Sequence, residues 1–223
     1  MQSPLGTAGR ARIPPGVKAL YTLFVVVLVP YYWNYYGPAN FLWFCDIALL
    51  ATVLALWWES RFLASMQLVA VLLASLVWLA DLLTRLATGT FLTGWTHYMF
   101  RPDVPLVIRS LSLYHGWLPF LLLWVVWRLG YDRRAWIAQS LLAWVILPVC
   151  YLFTDPVRAL NGVFGPSGQH PQTWVAPGVW LALVMVLYPL GVFLPTHLVL
   201  RLAFRGRMDQ ACRPTDAGSS MKA

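Results

Sequence analysis

Long apolar runs, separated by short polar connections, make up most of the chain. Six of these runs approach the ~20 residues that a helix needs to cross the hydrocarbon core of a bilayer. No alternation of apolar and polar residues with a period of two accompanies them, which argues against a membrane β-barrel. The pattern therefore predicts an all-α, polytopic membrane helix bundle with about six transmembrane helices, at residues 17–33, 41–58, 62–86, 105–127, 135–153 and 174–204.

The composition agrees with one membrane-embedded domain. Hydrophobic residues make up 60% of the chain and charged residues 11%, against roughly 25% charged residues in a soluble domain. We divide the chain into a disordered basic N-terminal arm (1–16), a transmembrane domain (17–204) and a disordered cytoplasmic tail (205–223). The first apolar run lacks a clear small-x-small cleavage site, so it is predicted to be an uncleaved helix and not a signal peptide.

The basic residues predict the orientation of the helices. The formal net charge is +8, and no basic stripe on a soluble fold accompanies it, so nucleic-acid binding is not expected. Lys and Arg collect on cytoplasmic connections, and twelve of the sixteen fall on the side of the two termini. Both termini are therefore predicted to be cytoplasmic in a multi-pass protein of a bacterial inner membrane. The four on the outer side are Arg85, Arg101, Arg109 and Arg158.

Polar side chains collect near the predicted outer ends of the helices. Cys45 and Asp46 lie about five residues into the second helix, which corresponds to a depth of roughly 8 Å. Ionisable residues in membrane segments are costly and are candidates for function. The inner half has little comparable apart from Gln67, Gln139 and His197. The outer layer comprises Asn40, Cys45, Asp46, Asp81, Arg109, His115 and Asp155.

Each member of this layer also has a structural interpretation. A single buried cysteine such as Cys45 commonly serves as a small core residue. Asp81 and Arg85 have the i,i+4 spacing of an ion pair on a helix surface. His115 is compatible with a hydrogen-bonded histidine beside a helix kink, and Asp155 with the start of a turn.

Taken together, the layer predicts a cysteine–histidine dyad. An imidazole can remove the proton of a thiol, and the thiolate then attacks a carbonyl carbon. Cys45 and His115 are on different helices at similar depth, so they are the candidate catalytic residues. Asp46 or Asp81 would orient the imidazole, and Arg109 would bind a lipid phosphate. Asp155 completes the supporting polar layer. Membrane lipids are the expected partners, and the sequence leaves a protein partner or a homo-oligomer open.

Three stretches resemble one family. FLWFCDIALL, SLYHGWLPFLLLW and CYLFTDP…LNGVFGP are similar to segments of the YwaF-like integral membrane proteins, a bacterial group to which a eukaryotic transmembrane acyltransferase also belongs. The likeness extends from about residue 31 to residue 204. It implies a compact helix bundle in which Cys45 and His115 act in acyl transfer between phospholipids. Where the family usually has Leu-Pro-Leu before its cysteine, this chain has Phe41-Leu42-Trp43-Phe44, whose bulk would change the entrance to the pocket.

Two classes of function follow. The first is a phospholipid acyltransferase or lipid hydrolase with a Cys/His dyad near the outer leaflet. The alternative is a non-enzymatic membrane protein: a small transporter, a lipid-binding subunit or an assembly subunit. The proline-rich last span fits a transporter, whereas a polar layer away from the midplane does not. No cofactor motif is present. Cys45, Cys150 and Cys212 have neither metal-site nor disulfide spacing, so no metal or cofactor is expected.

Overall fold

A computed structural model describes residues 13–166 and 171–205 of the chain. The described residues form an all-helical bundle without strands, which confirms the predicted fold class. Five helical segments of this part are long and apolar enough to cross a membrane. The α-helices are α1 (Pro15–Tyr36), α2 (Phe44–Trp57), α3 (Arg61–Thr88), α4 (Leu106–Ser112), α5 (Tyr114–Leu129), α6 (Ala135–Phe153), α7 (Pro177–Leu187) and α8 (Leu194–Ala203).

The predicted spans correspond to these helices with two differences. The second span contains only the 14 residues of α2, preceded by a 3₁₀ helix at Pro38–Leu42. The fourth span, Leu106–Leu129, is divided into α4 and α5 at Leu113. The expected six spans are therefore five long ones and one short helix. The side of the membrane on which each end lies remains a prediction.

Local sequence signals set several helix ends. Pro15 and Pro177 stand in the first turns of α1 and α7, where the missing N–H of proline costs no hydrogen bond. Ser60 caps α3 by accepting a hydrogen bond from the Leu63 N–H at 3.3 Å. Gly89 ends α3 with a φ of 76°, a left-handed conformation that glycine adopts without a steric penalty.

Helix α3 lies at the centre of the bundle. It packs against α2, α5 and α6, and its most apolar window is 50% buried, more than that of any other candidate span. Its apolar side chains, among them Leu68, Val69 and Val71, are almost completely buried. Less of the other four candidate spans is buried, between 17% and 39% of the most apolar window of each, as is expected of helices that face lipid.

The last span is interrupted at Pro189. A π-helix at Tyr188–Phe193 joins α7 to α8. Proline has no N–H, so Pro189 frees the carbonyl of Met185 four residues earlier. The indole N–H of Trp144 on α6 donates to this carbonyl at 2.9 Å, and the indole N–H of Trp136 donates to the carbonyl of Pro189 at 3.0 Å. Tryptophans of α6 thus satisfy the backbone at the break, as hydrocarbon surroundings require.

Ion pairs gather at the end of the bundle where α1 begins and α2 ends. Lys18 of α1 pairs with Glu59 at 2.9 Å, and Glu59 also accepts a hydrogen bond from the N–H of Ile13. Ile13 is buried and α1 begins at Pro15, so ordered structure starts within the predicted arm. Residues 1–12, most of the predicted tail and Cys212 lie outside the described residues.

Asp132 joins three elements at this same end. It follows α5, and its own N–H donates to the Ser65 Oγ of α3 at 3.0 Å. Its carboxylate accepts from Arg134 Nη2 at 3.0 Å and lies 3.7 Å from Arg61 Nε. The hydrogen bonds from Arg134 hold the pKa of the Asp132 carboxyl below its usual range.

We predict that Asp132→Asn lowers the melting temperature at about pH 7. A carboxyl whose pKa is lower in the folded state contributes stability above its unfolded pKa of ~3.9 and loses it as the pH falls through the folded pKa. The difference between wild type and variant should therefore shrink below about pH 4. Thermal unfolding in detergent across this range measures it. Asp103→Asn is the control, because Asp103 pairs with Arg101 on the surface; an equal effect of both variants would contradict the assignment.

Candidate functional site

Cys45 lies in the first turn of α2 and is partly buried. The turn is formed because the chain leaves the Pro38–Leu42 3₁₀ helix through the extended residue Trp43. The N–H of Phe44, one of the unpaired donors of a helix start, donates to the Oδ1 of Asn161 at 3.0 Å. The start of α2 is thus fixed by a side chain from the connection between α6 and α7.

Asp46 is 2% exposed and hydrogen-bonded at both carboxylate oxygens. Asn40 Nδ2 donates to Oδ2 at 2.8 Å, and the hydroxyl of Tyr114 donates to Oδ1 at 2.8 Å. Arg158 Nη2 lies 3.5 Å from the Oδ1 of Asn40, so Asn40 links Asp46 to a cation. Asp46 therefore serves a neighbouring helix, α5, through Tyr114.

His115 follows Tyr114 directly and is held on three sides. Its Nδ1 lies 2.8 Å from the carbonyl oxygen of Ser112. Its ring stacks on Tyr114 with centroids 4.1 Å apart and on Trp78 of α3 with centroids 5.2 Å apart. A carbonyl oxygen only accepts hydrogen bonds, so Nδ1 carries the hydrogen and Nε2 of a neutral imidazole has the free lone pair.

Ser112 connects this histidine to α1. Its hydroxyl lies 2.6 Å from the hydroxyl of Tyr32 and 3.0 Å from the carbonyl of Ile108. Both Ser112 and Tyr32 are buried. We refer to Asn40, Asp46, Ser112, Tyr114 and His115 as the Asp46 cluster.

The hydrogen bond from Tyr114 to Asp46 links the two helices that carry the candidate residues Cys45 and His115. Asp46 is adjacent to Cys45 in the chain, and Tyr114 is adjacent to His115. The contact thus joins α2 and α5 at the residues next to the candidate nucleophile and the candidate base. Cys45 and His115 are thus each one residue away from this contact, on α2 and α5.

The other predicted members have separate surroundings. Asp81 is fully buried and accepts hydrogen bonds from the N–H groups of Thr93, Gly94 and Thr96 and from the Thr96 hydroxyl, at 2.6–3.0 Å. It fixes the loop after α3. Arg85 does not pair with it at the i,i+4 spacing, since its guanidinium lies over Phe91, 4.8 Å from the ring centroid.

Arg109 and Asp155 are also outside the Asp46 cluster. Arg109 Nη1 donates to the carbonyl of Met99 at 3.2 Å. Asp155 is exposed and accepts from the N–H of Val157 at 2.9 Å, which caps the 3₁₀ helix Pro156–Arg158. Asp155 thus starts a turn, which is the structural interpretation that its sequence context also allowed.

Asn161 is a member of the site that sequence reasoning missed. Its side chain accepts from Phe44 N–H and donates to the carbonyl of Leu42 at 2.8 Å and to the Sγ of Cys150 at 3.5 Å. Its own carbonyl accepts from the hydroxyl of Tyr188 at 3.2 Å. It has a φ of 52°. The only signal in the sequence was the Asn-Gly pair, which indicates a turn and says nothing of a contact with α2.

Four buried side-chain atoms of the described residues have no hydrogen-bond partner. Two are donors on helices near the Asp46 cluster, Trp78 Nε1 and Arg109 Nε. The other two are acceptors near the N-terminal ends of α3 and α6, Gln67 Oε1 and Gln139 Oε1. Buried polar atoms without partners are rare and need an explanation.

Comparisons with protein-family models, with curated proteins and with solved structures find no match to this chain. Among the described residues, no group of three or more His, Cys, Asp or Glu side chains is arranged to hold a metal ion.

We predict that Asn161→Gly lowers stability and that Asn161→Ala lowers it further. Glycine keeps the positive φ but loses the side-chain hydrogen bonds, each of which contributes about 0.5–1.5 kcal/mol. Alanine loses the same bonds and adds backbone strain of roughly 1 kcal/mol. Thermal unfolding of the purified protein in detergent measures both differences. Equal melting temperatures for wild type and Asn161→Gly would show that the side chain does not secure the start of α2.

Proposed function

We propose that this chain is an integral membrane protein that transfers or hydrolyses an acyl group of a phospholipid, with Cys45 as nucleophile and His115 as general base. We propose also that it belongs with the YwaF-like proteins. The observation that supports the activity best is the hydrogen bond between Tyr114 and Asp46, because it joins α2 and α5 beside both reacting residues.

The state of His115 supports its role as the base. With the hydrogen on Nδ1 donated to the carbonyl of Ser112, the basic nitrogen is Nε2. An imidazole that is oriented through its other nitrogen is the usual arrangement of a general base in acyl transfer. Stacking between Trp78 and Tyr114 restricts rotation of the ring.

The position of Cys45 supports its role as the nucleophile. Cys45 stands in the first turn of α2, directly before Asp46. Asn40 and Tyr114 both donate to the Asp46 side chain, so the backbone on which Cys45 lies is held in place from two sides.

The proposed reaction has two half-reactions. His115 Nε2 takes the proton of Cys45, and the thiolate attacks the carbonyl carbon of a lipid ester. The carbon–oxygen bond to the glycerol breaks, and the imidazolium returns the proton to the departing alkoxide. Water or an alcohol of a second lipid then attacks the thioester with His115 again as the base. This attack releases the acyl group and restores the thiol.

Arg109 supports a lipid with an anionic headgroup as the substrate. Its buried Nε has no acceptor, and no carboxylate pairs with its guanidinium among the described residues. Guanidinium groups bind phosphate oxygens strongly. Arg109 lies on α4 and His115 follows it by six residues in the first turn of α5, so a headgroup bound by Arg109 would lie on the same span as the proposed base.

The alternative of a transporter has less support. Broken helices in transporters leave backbone carbonyls free to bind ions. Here the carbonyls of Met185 and Pro189 at the break accept hydrogen bonds from Trp144 and Trp136. The break thus offers no unpaired carbonyl at these two positions.

We predict that Cys45→Ala and His115→Ala each lower turnover of a phosphatidylglycerol with a fluorescent acyl chain by about 10²-fold or more. The purified protein should also form an acyl thioester on Cys45, visible by intact mass and cleaved by hydroxylamine. Cys150→Ser and His97→Ala are the controls, because Cys150 is a core residue bonded to Asn161 and His97 lies in the loop beside Phe91.

Wild-type turnover that persists in both Cys45→Ala and His115→Ala would refute the dyad. If the wild-type protein shows no turnover but binds the lipid, the non-enzymatic alternative would replace the acyltransferase. Folding of every variant is checked by its elution profile and melting temperature in detergent.

A further inference from the structure

The hydroxyl of Tyr114 has two side-chain partners, and both stand in the first turn of α2. It donates to the Oδ1 of Asp46 at 2.8 Å, and the thiol of Cys45 is within its hydrogen-bonding reach. A hydroxyl has one hydrogen to donate and two lone pairs that accept. While the hydrogen of Tyr114 points at Asp46, the oxygen can therefore accept a hydrogen bond from the thiol of Cys45.

Asp46 keeps a donor when the hydrogen of Tyr114 turns away from it. Asn40 Nδ2 donates to the other carboxylate oxygen, Oδ2, at 2.8 Å, and Arg158 Nη2 lies 3.5 Å from the Oδ1 of Asn40. A hydroxyl hydrogen rotates to suit its acceptor. The hydrogen of Tyr114 can thus change partners without leaving the buried carboxylate of Asp46 unpaired.

A thiolate at Cys45 needs a donor in these surroundings. It would lie beside the carboxylate of Asp46, which is 2% exposed, and against the fully buried Tyr114. Burial and a like charge both disfavour an anion, whereas a hydrogen bond to the charged form favours it. Tyr114 is suited to supply this bond, because it contacts Cys45 and directly precedes His115, on which its ring stacks with centroids 4.1 Å apart.

We propose that the hydroxyl of Tyr114 turns from Asp46 to the sulfur of Cys45 when the thiolate forms, and stabilises it. The inference rests on the proposed function and adds Tyr114 to it as a catalytic residue. The thiol proton goes to Nε2 of His115, and the hydrogen of Tyr114 then donates to the negative sulfur without leaving its oxygen. When the sulfur bonds to the ester carbon it loses its charge, and the hydrogen returns to Asp46.

Tyr114→Phe tests the proposal, because it removes the hydroxyl and keeps a ring that can stack on His115. The measurement is the rate at which iodoacetamide alkylates Cys45 at about pH 7 in detergent, followed by peptide mass spectrometry. A hydrogen bond to a charged group changes the thiolate fraction by about tenfold or more. The higher nucleophilicity of a less stabilised thiolate offsets about half of this on a logarithmic scale. We therefore expect the rate to fall by about threefold or more.

Tyr131→Phe is the matched control. It also removes the hydroxyl of a buried tyrosine with a side-chain partner, since the hydroxyl of Tyr131 lies 2.7 Å from Nδ1 of His197. Alkylation of Cys45 should keep the wild-type rate in this variant. An equal fall in both variants would overturn the proposal, because the effect would then be a general one of losing a buried hydroxyl.

A second pair of variants keeps the test independent of the folding of Tyr114→Phe. That variant leaves a buried carboxylate with one donor fewer, which is costly, and Asp46→Asn removes the charge that makes it so. The double variant Asp46→Asn/Tyr114→Phe should again be alkylated about threefold or more slowly than Asp46→Asn alone. Equal or faster alkylation after the loss of the hydroxyl would overturn the proposal, since Tyr114 would then only tie α2 to α5.

The alkylation rate and lipid turnover separate this proposal from the proposed function. With the fluorescent phosphatidylglycerol, kcat of Tyr114→Phe should fall by about threefold or more, and KM should change little. Slower alkylation in a protein without lipid turnover would support the donor and refute acyl transfer. Turnover that requires Cys45, together with wild-type alkylation in Tyr114→Phe, would refute the donor alone.

Discussion

In hydrocarbon there is no water to complete a hydrogen bond, so the protein must satisfy its own polar groups. This constraint accounts for most of the contacts described above. It favours helices, whose backbone groups pair internally. It explains why two tryptophans of α6 donate to the carbonyls at the break in the last span, and why the first turn of α2 is bonded by Asn161. Asp46 meets the same requirement with Asn40 and Tyr114.

Under the same constraint, the few buried polar groups without a partner are candidates for contact with a ligand. Most polar side chains in the described core have partners, so the Nε of Arg109, a buried donor without one, stands out. Arg109 lies on α4, the helix that also carries Ser112 of the Asp46 cluster. A phosphate oxygen would complement this donor. Gln67 and Gln139, toward the other ends of their helices, present acceptors instead. The two halves of the bundle thus differ in their buried atoms without a partner: a donor on one side and acceptors on the other.

The sequence predicted the fold well because the signals were long and local. Apolar runs of about 20 residues set the helices, and the described residues are indeed all-helical. The sequence predicted the hydrogen-bond partners of individual side chains poorly. Asp81 appeared to suit Arg85 four residues later, yet it binds a loop twelve to fifteen residues away. Tyr114 and Asn161 were overlooked because their importance comes from contacts 68 and 117 residues distant in the chain, which no local pattern encodes.

The buried stretch at residues 160–163, in the connection after α6, has a consequence for how this chain can vary. Loops usually tolerate insertions because they lie on the surface. Leu160, Asn161 and Val163 are instead buried, and this stretch bonds the start of α2, the thiol of Cys150 and the hydroxyl of Tyr188. An added residue here would shift all three contacts together. We therefore expect related sequences to keep the length of this stretch, with insertions and deletions confined to the exposed residues on either side.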